Sequence, residues 1–277
     1  MPKILSESAV ESYRKNGYYF PVPALTPAEA AHYRGRLEAS ERENGGPLQS
    51  NKRHKVHLLY TWANELVHHP KILDAIEDVL GPDLLCWTTN LFIKEARSTS
   101  FVSWHQDATY WGLSDDAVAT AWIALGDVPH ESGPMHFWPG SHLREQMPHR
   151  DTFHQDNLLS RGQELAVEVP AGEGVEVPLK AGEISLHHVK LVHGSGPNHS
   201  GGRRLGLAIR YIAPHVRQLK TRDSAMLVRG VDRYGHFDME QEPKGDLDEA
   251  ALAAHDDAMR RQVAALYQGT DKGAFRA

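Results

Sequence analysis

Apolar positions along the chain change period near residue 84. Before it they recur at helical spacing; after it they come in short β-branched and aromatic runs broken by Gly, Pro, Ser and Asp. Ser8 reads as the cap of a short helix carrying Val10 and Tyr13, stopped by Gly17 ahead of a strand-like run over 18–22. Thr26-Pro27-Ala28-Glu29 has the form of a capping box, which opens a helix to about Glu43. A basic patch, Lys52-Arg53-His54-Lys55, precedes an apolar helical stretch over 58–67, and Pro70 opens a further helix with Ile72, Leu73, Ile76 and Leu80 on one face. Strands are expected over 84–94, 117–126, 135–138, 164–169, 174–178, 184–188 and 205–212. A terminal amphipathic helix over 247–268 would bury Leu252, Met259, Val263 and Leu266. The pattern predicts a mainly β core, a sandwich or barrel, with flanking helices in one domain: a helical N-terminal part over 1–83, the β core over 84–213 and a C-terminal extension over 214–277.

Composition narrows the class. Charged residues are 24% and apolar ones 40% of 277, with a net charge of -6, so no basic excess points to nucleic acid. There is neither an 18-residue apolar run nor a charged-then-apolar N-terminus, and the expected setting is cytoplasmic, with a small-molecule substrate and no membrane partner. Cys86 is the only cysteine, so a bound metal has to be held by His and carboxylates.

One stretch carries such chemistry. In Trp104-His105-Gln106-Asp107 the two potential ligands are two residues apart and project to one face of an extended segment, and His193 follows a later strand. Two histidines and a carboxylate fill one face of an octahedron and leave three positions open, the arrangement of non-haem iron(II) oxygenases.

The same residues carry a family resemblance. Trp104 to Asp107, Ala121-Trp122-Ile123-Ala124-Leu125, Ser132-Gly133-Pro134-Met135, Pro139-Gly140-Ser141-His142, Ala181-Gly182-Glu183 and the run from His193-Gly194-Ser195 to Arg203-Arg204 occur in the order of the phytanoyl-CoA dioxygenase-like oxygenases. The chain resembles that family over roughly 84–212. The resemblance implies a double-stranded β-helix, the cupin-like jelly roll, and dependence on Fe(II), 2-oxoglutarate and O2. It also implies His105, Asp107 and His193 as metal ligands, and Arg204 with Ser195 as holders of the far oxoglutarate carboxylate. Arg203 competes with Arg204, because adjacent strand residues face opposite ways. Trp122 matches a co-substrate-lining tryptophan; Thr88 and Asn90 are further candidates for oxoglutarate, whereas Lys94 reads as a surface charge. His136, His142, His187 and His188 lie near the motifs without ligand spacing and read as supporting groups. Relatives that halogenate lack the carboxylate, so Asp107 implies hydroxylation.

For the substrate, the basic patch with Lys55 and His57 and the loop with Thr109 and Tyr110 suggest a small polar or anionic metabolite of carboxylate or phosphonate type. A lipophilic or CoA-linked substrate is the alternative. A zinc-dependent hydrolase or isomerase on the same three ligands, and a non-catalytic binding protein, are the readings from other classes.

Overall fold

The computed structural model describes residues 1–269. Its N-terminal part is helical where the capping signals place it. Helix α1 (Glu7–Asn16) is capped by Ser6, whose side chain accepts from the Ala9 amide, not by Ser8, and Gly17 ends it in the left-handed conformation. After strand β1 (Tyr18–Pro23), α2 (Pro27–Glu43) opens on the full Thr26/Glu29 capping box. The stretch expected as one helix is two, α3 (Val56–Leu59) and α4 (Thr61–Val67), with the extended backbone of Tyr60 between them. Helix α5 (Pro70–Leu80) starts on its proline and stops at Gly81.

The β region follows as β2 (Leu84–Lys94), β3 (Val102–His105), the short helix α6 (Ala108–Trp111), β4 (Val118–Ala124), β5 (Met135–Phe137), β6 (His149–Asp151), β7 (Gln163–Leu165), β8 (Val175–Val177), β9 (Glu183–His188), β10 (His193–Ser195), β11 (Arg204–Ile212), β12 (Ser224–Arg229) and β13 (Asp238–Met239). Strands β6 and β7 pair only with each other. The other strands form two facing sheets, one ordered β1-β9-β4-β11-β2-β12-β13 and a smaller one ordered β3-β10-β5-β8. This is the expected double-stranded β-helix, flanked by helices. The larger sheet also recruits β1, β12 and β13 from outside 84–213, because its edges need partners.

Strand β11 at the middle of that sheet shows how alternation positions the site. Leu205, Leu207, Ile209 and Tyr211 face the helical layer and pack in one core with Leu58, Trp62, Ile72 and Ile76. Each fully buried aliphatic chain stabilises that layer by about 1.5–3 kcal/mol. The alternate residues, Arg204, Gly206, Ala208 and Arg210, face the space between the sheets.

Helix α7 (Glu249–Leu266) buries Ala251, His255, Ala258, Met259 and Gln262, while Leu252 is 40% exposed. The buried stripe is therefore displaced from the one expected on hydrophobicity. Polar contacts turn it: His255 Nε2 lies 2.9 Å from the His54 carbonyl, and Arg161 and Lys220 donate to the carbonyls of Leu266 and Ala265 at the C-terminal end.

Candidate active site

Strands β3 and β10 are antiparallel neighbours in which His105 and His193 are direct partners, and their rings stand 4.2 Å apart between centroids. Asp107, just past β3, brings its Oδ1 to 3.4 Å from His105 Nε2. One potential ligand atom from each of the three lies within 4.8 Å of the other two, and all three side chains are buried.

The hydrogen bonds prepare these atoms for a metal. His105 Nδ1 lies 2.9 Å from the Ser103 carbonyl and His193 Nδ1 2.9 Å from the Leu191 carbonyl. A carbonyl only accepts, so each Nδ1 carries the proton and each Nε2 presents a lone pair. Burial, then the neighbouring His105, lowers His193 to about 4, which keeps it neutral and able to ligate. Burial pushes the Asp107 carboxyl up, but Arg210 and His105 pull it down further, so it stays well below the usual carboxylate range. Its Oδ2 is buried without a hydrogen-bond partner, so its lone pairs fit a bound cation. Gln106 faces away and fixes the turn, donating to the Lys190 carbonyl and accepting from the Met147 amide.

Beside the triad lies a cavity of about 20 Å³ lined by Trp122, Met135, Ser195 and Arg204. Arg204 is 1% exposed; its Nη1 donates to the Gly133 carbonyl at 2.5 Å and its Nε has no partner. Arg203 turns the other way, to Glu41 at 2.8 Å and Glu95 at 2.9 Å. Across the strand pair from Arg204 stands Lys94. It is fully buried, not a surface charge, with its Nζ on Ser195 Oγ at 2.7 Å and on the carbonyls of Gly133 and Gly196. Burial and the Arg204 charge push the Lys94 amine down to about 6, and burial lowers Arg204 to about 9. Among the described residues no carboxylate pairs with either cation, so the pocket lacks an anion.

Two glycines make this corner possible. Gly133 has φ +67, and a Cβ there would run into the carbonyls of Gly196 and Pro197; its turn aims its own carbonyl at both cations. A Cβ on Gly206 would occupy the space taken by the Trp122 indole, which sits 5.4 Å from the Arg204 guanidinium.

A second cavity, of about 60 Å³, adjoins Asp107 and is walled by Trp87, Trp111 and Tyr110, with Gln262 and Leu266 of α7 on its border. Thr88 and Asn90 line this cavity rather than the one at Arg204. Of the four substrate candidates only Tyr110 lines it. Thr109 is turned to the Gln106 carbonyl at 2.9 Å. Lys55 and His57 are fully buried on Glu240, at 2.5 and 3.0 Å, and border neither cavity. Of the basic patch only His54, which burial lowers to about 3 and so keeps neutral, borders the larger cavity; the Lys55 ammonium is turned away to the fixed counter-charge of Glu240. Arg210 of β11 faces the site instead, with its Nη2 3.9 Å from Asp107 Oδ1. The sequence reading took Lys94 for a surface charge and passed over Arg210 and Glu240, although a lone cation at the inward parity of an apolar strand, as in Leu91-Phe92-Ile93-Lys94 and Ala208-Ile209-Arg210, was a visible signal for the first two.

Fold and site together define a double-stranded β-helix carrying a two-histidine, one-carboxylate facial site, the architecture of the non-haem iron oxygenases. Within that class, the chain belongs to the phytanoyl-CoA dioxygenase family, whose model matches residues 13–206. It is 33% identical over 177 residues to a probable alpha-ketoglutarate-dependent hypophosphite dioxygenase of Stutzerimonas stutzeri, covering 62% of this chain and 61% of that protein. Human peroxisomal phytanoyl-CoA dioxygenase is 27% identical over 51% of this chain and 43% of its own length. These alignments thus span between two-fifths and two-thirds of the curated relatives. Among solved structures, the non-heme monooxygenase ThoJ in its apo form superposes with a TM-score of 0.81 at 40% identity, over 92% of this chain and 95% of that one. A nickel complex of ThoJ superposes with a TM-score of 0.77 at 39% identity, over 92% of this chain and 96% of that one. No helix among the described residues is long and apolar enough to cross a membrane.

Proposed function

We propose that the chain is an iron(II)- and 2-oxoglutarate-dependent dioxygenase that hydroxylates an unactivated C–H of a small polar or anionic metabolite, with release of succinate and carbon dioxide. The observation that carries this reading is the pairing of a preorganised triad with a buried, anion-free cation pocket next to it. A zinc hydrolase would use the three ligands but has no need for Arg204 and Lys94.

Iron(II), when bound, supplies the dioxygen-activating chemistry, and the protein positions the reactants. His105 and His193 would hold the metal through Nε2, kept deprotonated because Nδ1 faces the Ser103 and Leu191 carbonyls. Asp107 would give the third ligand, and its retention favours hydroxylation over halogenation. Arg204 offers a fixed fork to the far carboxylate of oxoglutarate, with Lys94 and Ser195 as further donors. The Trp122 indole closes the pocket and lowers its dielectric, which strengthens that pairing. A small substrate suits the 60 Å³ cavity better than an acyl chain does, and the name of the S. stutzeri relative, a hypophosphite dioxygenase, supports a small anion.

The test is the visible charge-transfer band expected when iron(II) and oxoglutarate are added without oxygen, followed by coupled oxoglutarate decarboxylation against a panel of small acids. A folded protein without the band refutes the dioxygenase reading. Turnover confined to lipophilic or CoA-linked compounds refutes the substrate class alone.

A further inference from the structure

We propose that Arg210 anchors the substrate's own carboxylate, so that this site takes a small organic acid whose apolar body lies between Trp87, Trp111 and Tyr110. The inference rests on the dioxygenase reading above and assigns the substrate class within it.

Three observations converge on Arg210. It is 5% exposed and borders both cavities, so it stands where the co-substrate space meets the larger chamber. Its bonding is incomplete along one edge: Nη1 donates to Asn90 Oδ1, Nε is buried without a partner, and Nη2 finds Asp107 Oδ1 only at 3.9 Å, beyond hydrogen-bond reach. Nε and Nη2 form the side-on fork of the guanidinium, which matches a carboxylate through two parallel hydrogen bonds. The third observation is charge. Asp107 is the nearest anion to Arg210, and a metal on the triad takes that carboxylate's charge for itself, leaving a buried cation uncompensated.

The other charged groups at the larger cavity are engaged. Arg161 is paired with Asp151, its Nε at 2.8 Å, and Asp223 accepts from Trp87 Nε1 at 2.7 Å and from the Ser224 amide at 2.8 Å. The uncharged part of the wall is mixed, with Thr88, Asn90 and Gln262 among its polar members, but the face beside Arg210 is aromatic: the Trp87 and Trp111 rings stand 4.9 Å apart, and Trp111 lies 5.3 Å from the Arg210 guanidinium. A cationic fork beside indole faces selects a carboxylate carrying a flat or apolar body.

Arg204 and Arg210 share the inward face of β11 six residues apart, about 20 Å of strand. Between them Gly206 makes room for the Trp122 indole and Ala208 lines the smaller cavity. Arg204 answers one end of the site and Arg210 the other, which separates co-substrate from substrate by position.

The experiment compares acids with their neutral isosteres: benzoate with benzamide, phenylacetate with phenylacetamide, and indole-3-acetate with indole-3-acetamide. Binding is measured by calorimetry on the protein loaded with iron(II) and oxoglutarate without oxygen, and on the metal-free protein. At least one acid should bind wild type about 10- to 100-fold more tightly than its amide. Arg210→Gln should erase that preference and keep the iron–oxoglutarate band, while Arg210→Lys, with the charge but without the fork, should restore part of it. A wild type that never prefers acid to amide overturns the inference, as does a preference that survives in Arg210→Gln. Loss of the band in Arg210→Gln alone also overturns it, because Arg210 then serves Asp107 or oxoglutarate. Absence of the band in wild type refutes the dioxygenase reading instead, and the acid–amide comparison on metal-free protein still decides Arg210.

Discussion

Replacing Lys94 with methionine keeps the length of a buried side chain and removes its charge and its three donors. Without a bound anion, burial and Arg204 hold this amine at about 6, so at pH 7 the neutral form predominates. A carboxylate arriving between Lys94 and Arg204 favours the ammonium and raises its pKa. Oxoglutarate binding at pH 7 should therefore take up protons from solvent, up to about one per site. The sign follows: affinity is flat below pH 6, where Lys94 is already charged, and weakens by about tenfold per pH unit above it until the bound-state pKa is reached. Lys94→Met should abolish the uptake and flatten the profile. It should also bind oxoglutarate about 10- to 100-fold more weakly at pH 6, with the gap narrowing as pH rises. Calorimetry at pH 7 in two buffers of different ionisation enthalpy reads the uptake directly. Wild type binding oxoglutarate without proton uptake, or Lys94→Met keeping the wild-type slope, would refute the reasoning.

Two further predictions concern the frame around the site. Glu240 neutralises Lys55 and hydrogen-bonds His57 in full burial, so Glu240→Gln should cost about 3–5 kcal/mol in denaturant unfolding, because Lys55 keeps a buried charge without a counter-ion. Burial raises the Glu240 carboxyl, but Lys55 and His57 outweigh it and bring it to about 2; wild-type stability is then full above its ordinary value of 4.5 and lost as pH falls from there toward 2. The glutamine variant should lack that slope in acid titrations, and a variant as stable as wild type would show that the pair is not coupled to folding. Gly206→Ala should drive the Trp122 ring out of place, costing about 1–3 kcal/mol of stability and weakening the oxoglutarate band; unchanged melting and an unchanged band would show that the indole has other room.

Much of this protein could be read from its residues because local signals and long-range demands agree. The capping box at Thr26, Pro70 at a helix start and the apolar run of 84–94 each specify backbone that the packing also wants. The triad was legible because His105 and Asp107 sit close in sequence within a family motif, as was the competition between Arg203 and Arg204, since strand parity forces one of them inward. The short strands β3, β10 and β12 were not legible as strands: three to six residues carry little periodicity, and their pairing partners lie far along the chain.

The sequence by itself determined which elements form and which chemical groups are available. The tertiary structure decided which groups meet. Lys52 to Lys55 and Lys94 are alike as cations in a string of letters, yet Lys55 is neutralised by Glu240, 185 residues away, while Lys94 is left facing Ser195 and Arg204 with no anion among the described residues. Arg210 shares its strand's parity with Arg204, and only the packing of β11 between β4 and β2 shows that one fork meets Gly133 while the other stands open beside Asp107. A buried charge is stabilised or left wanting by the few atoms around it, and those atoms are contributed by segments that only folding brings together.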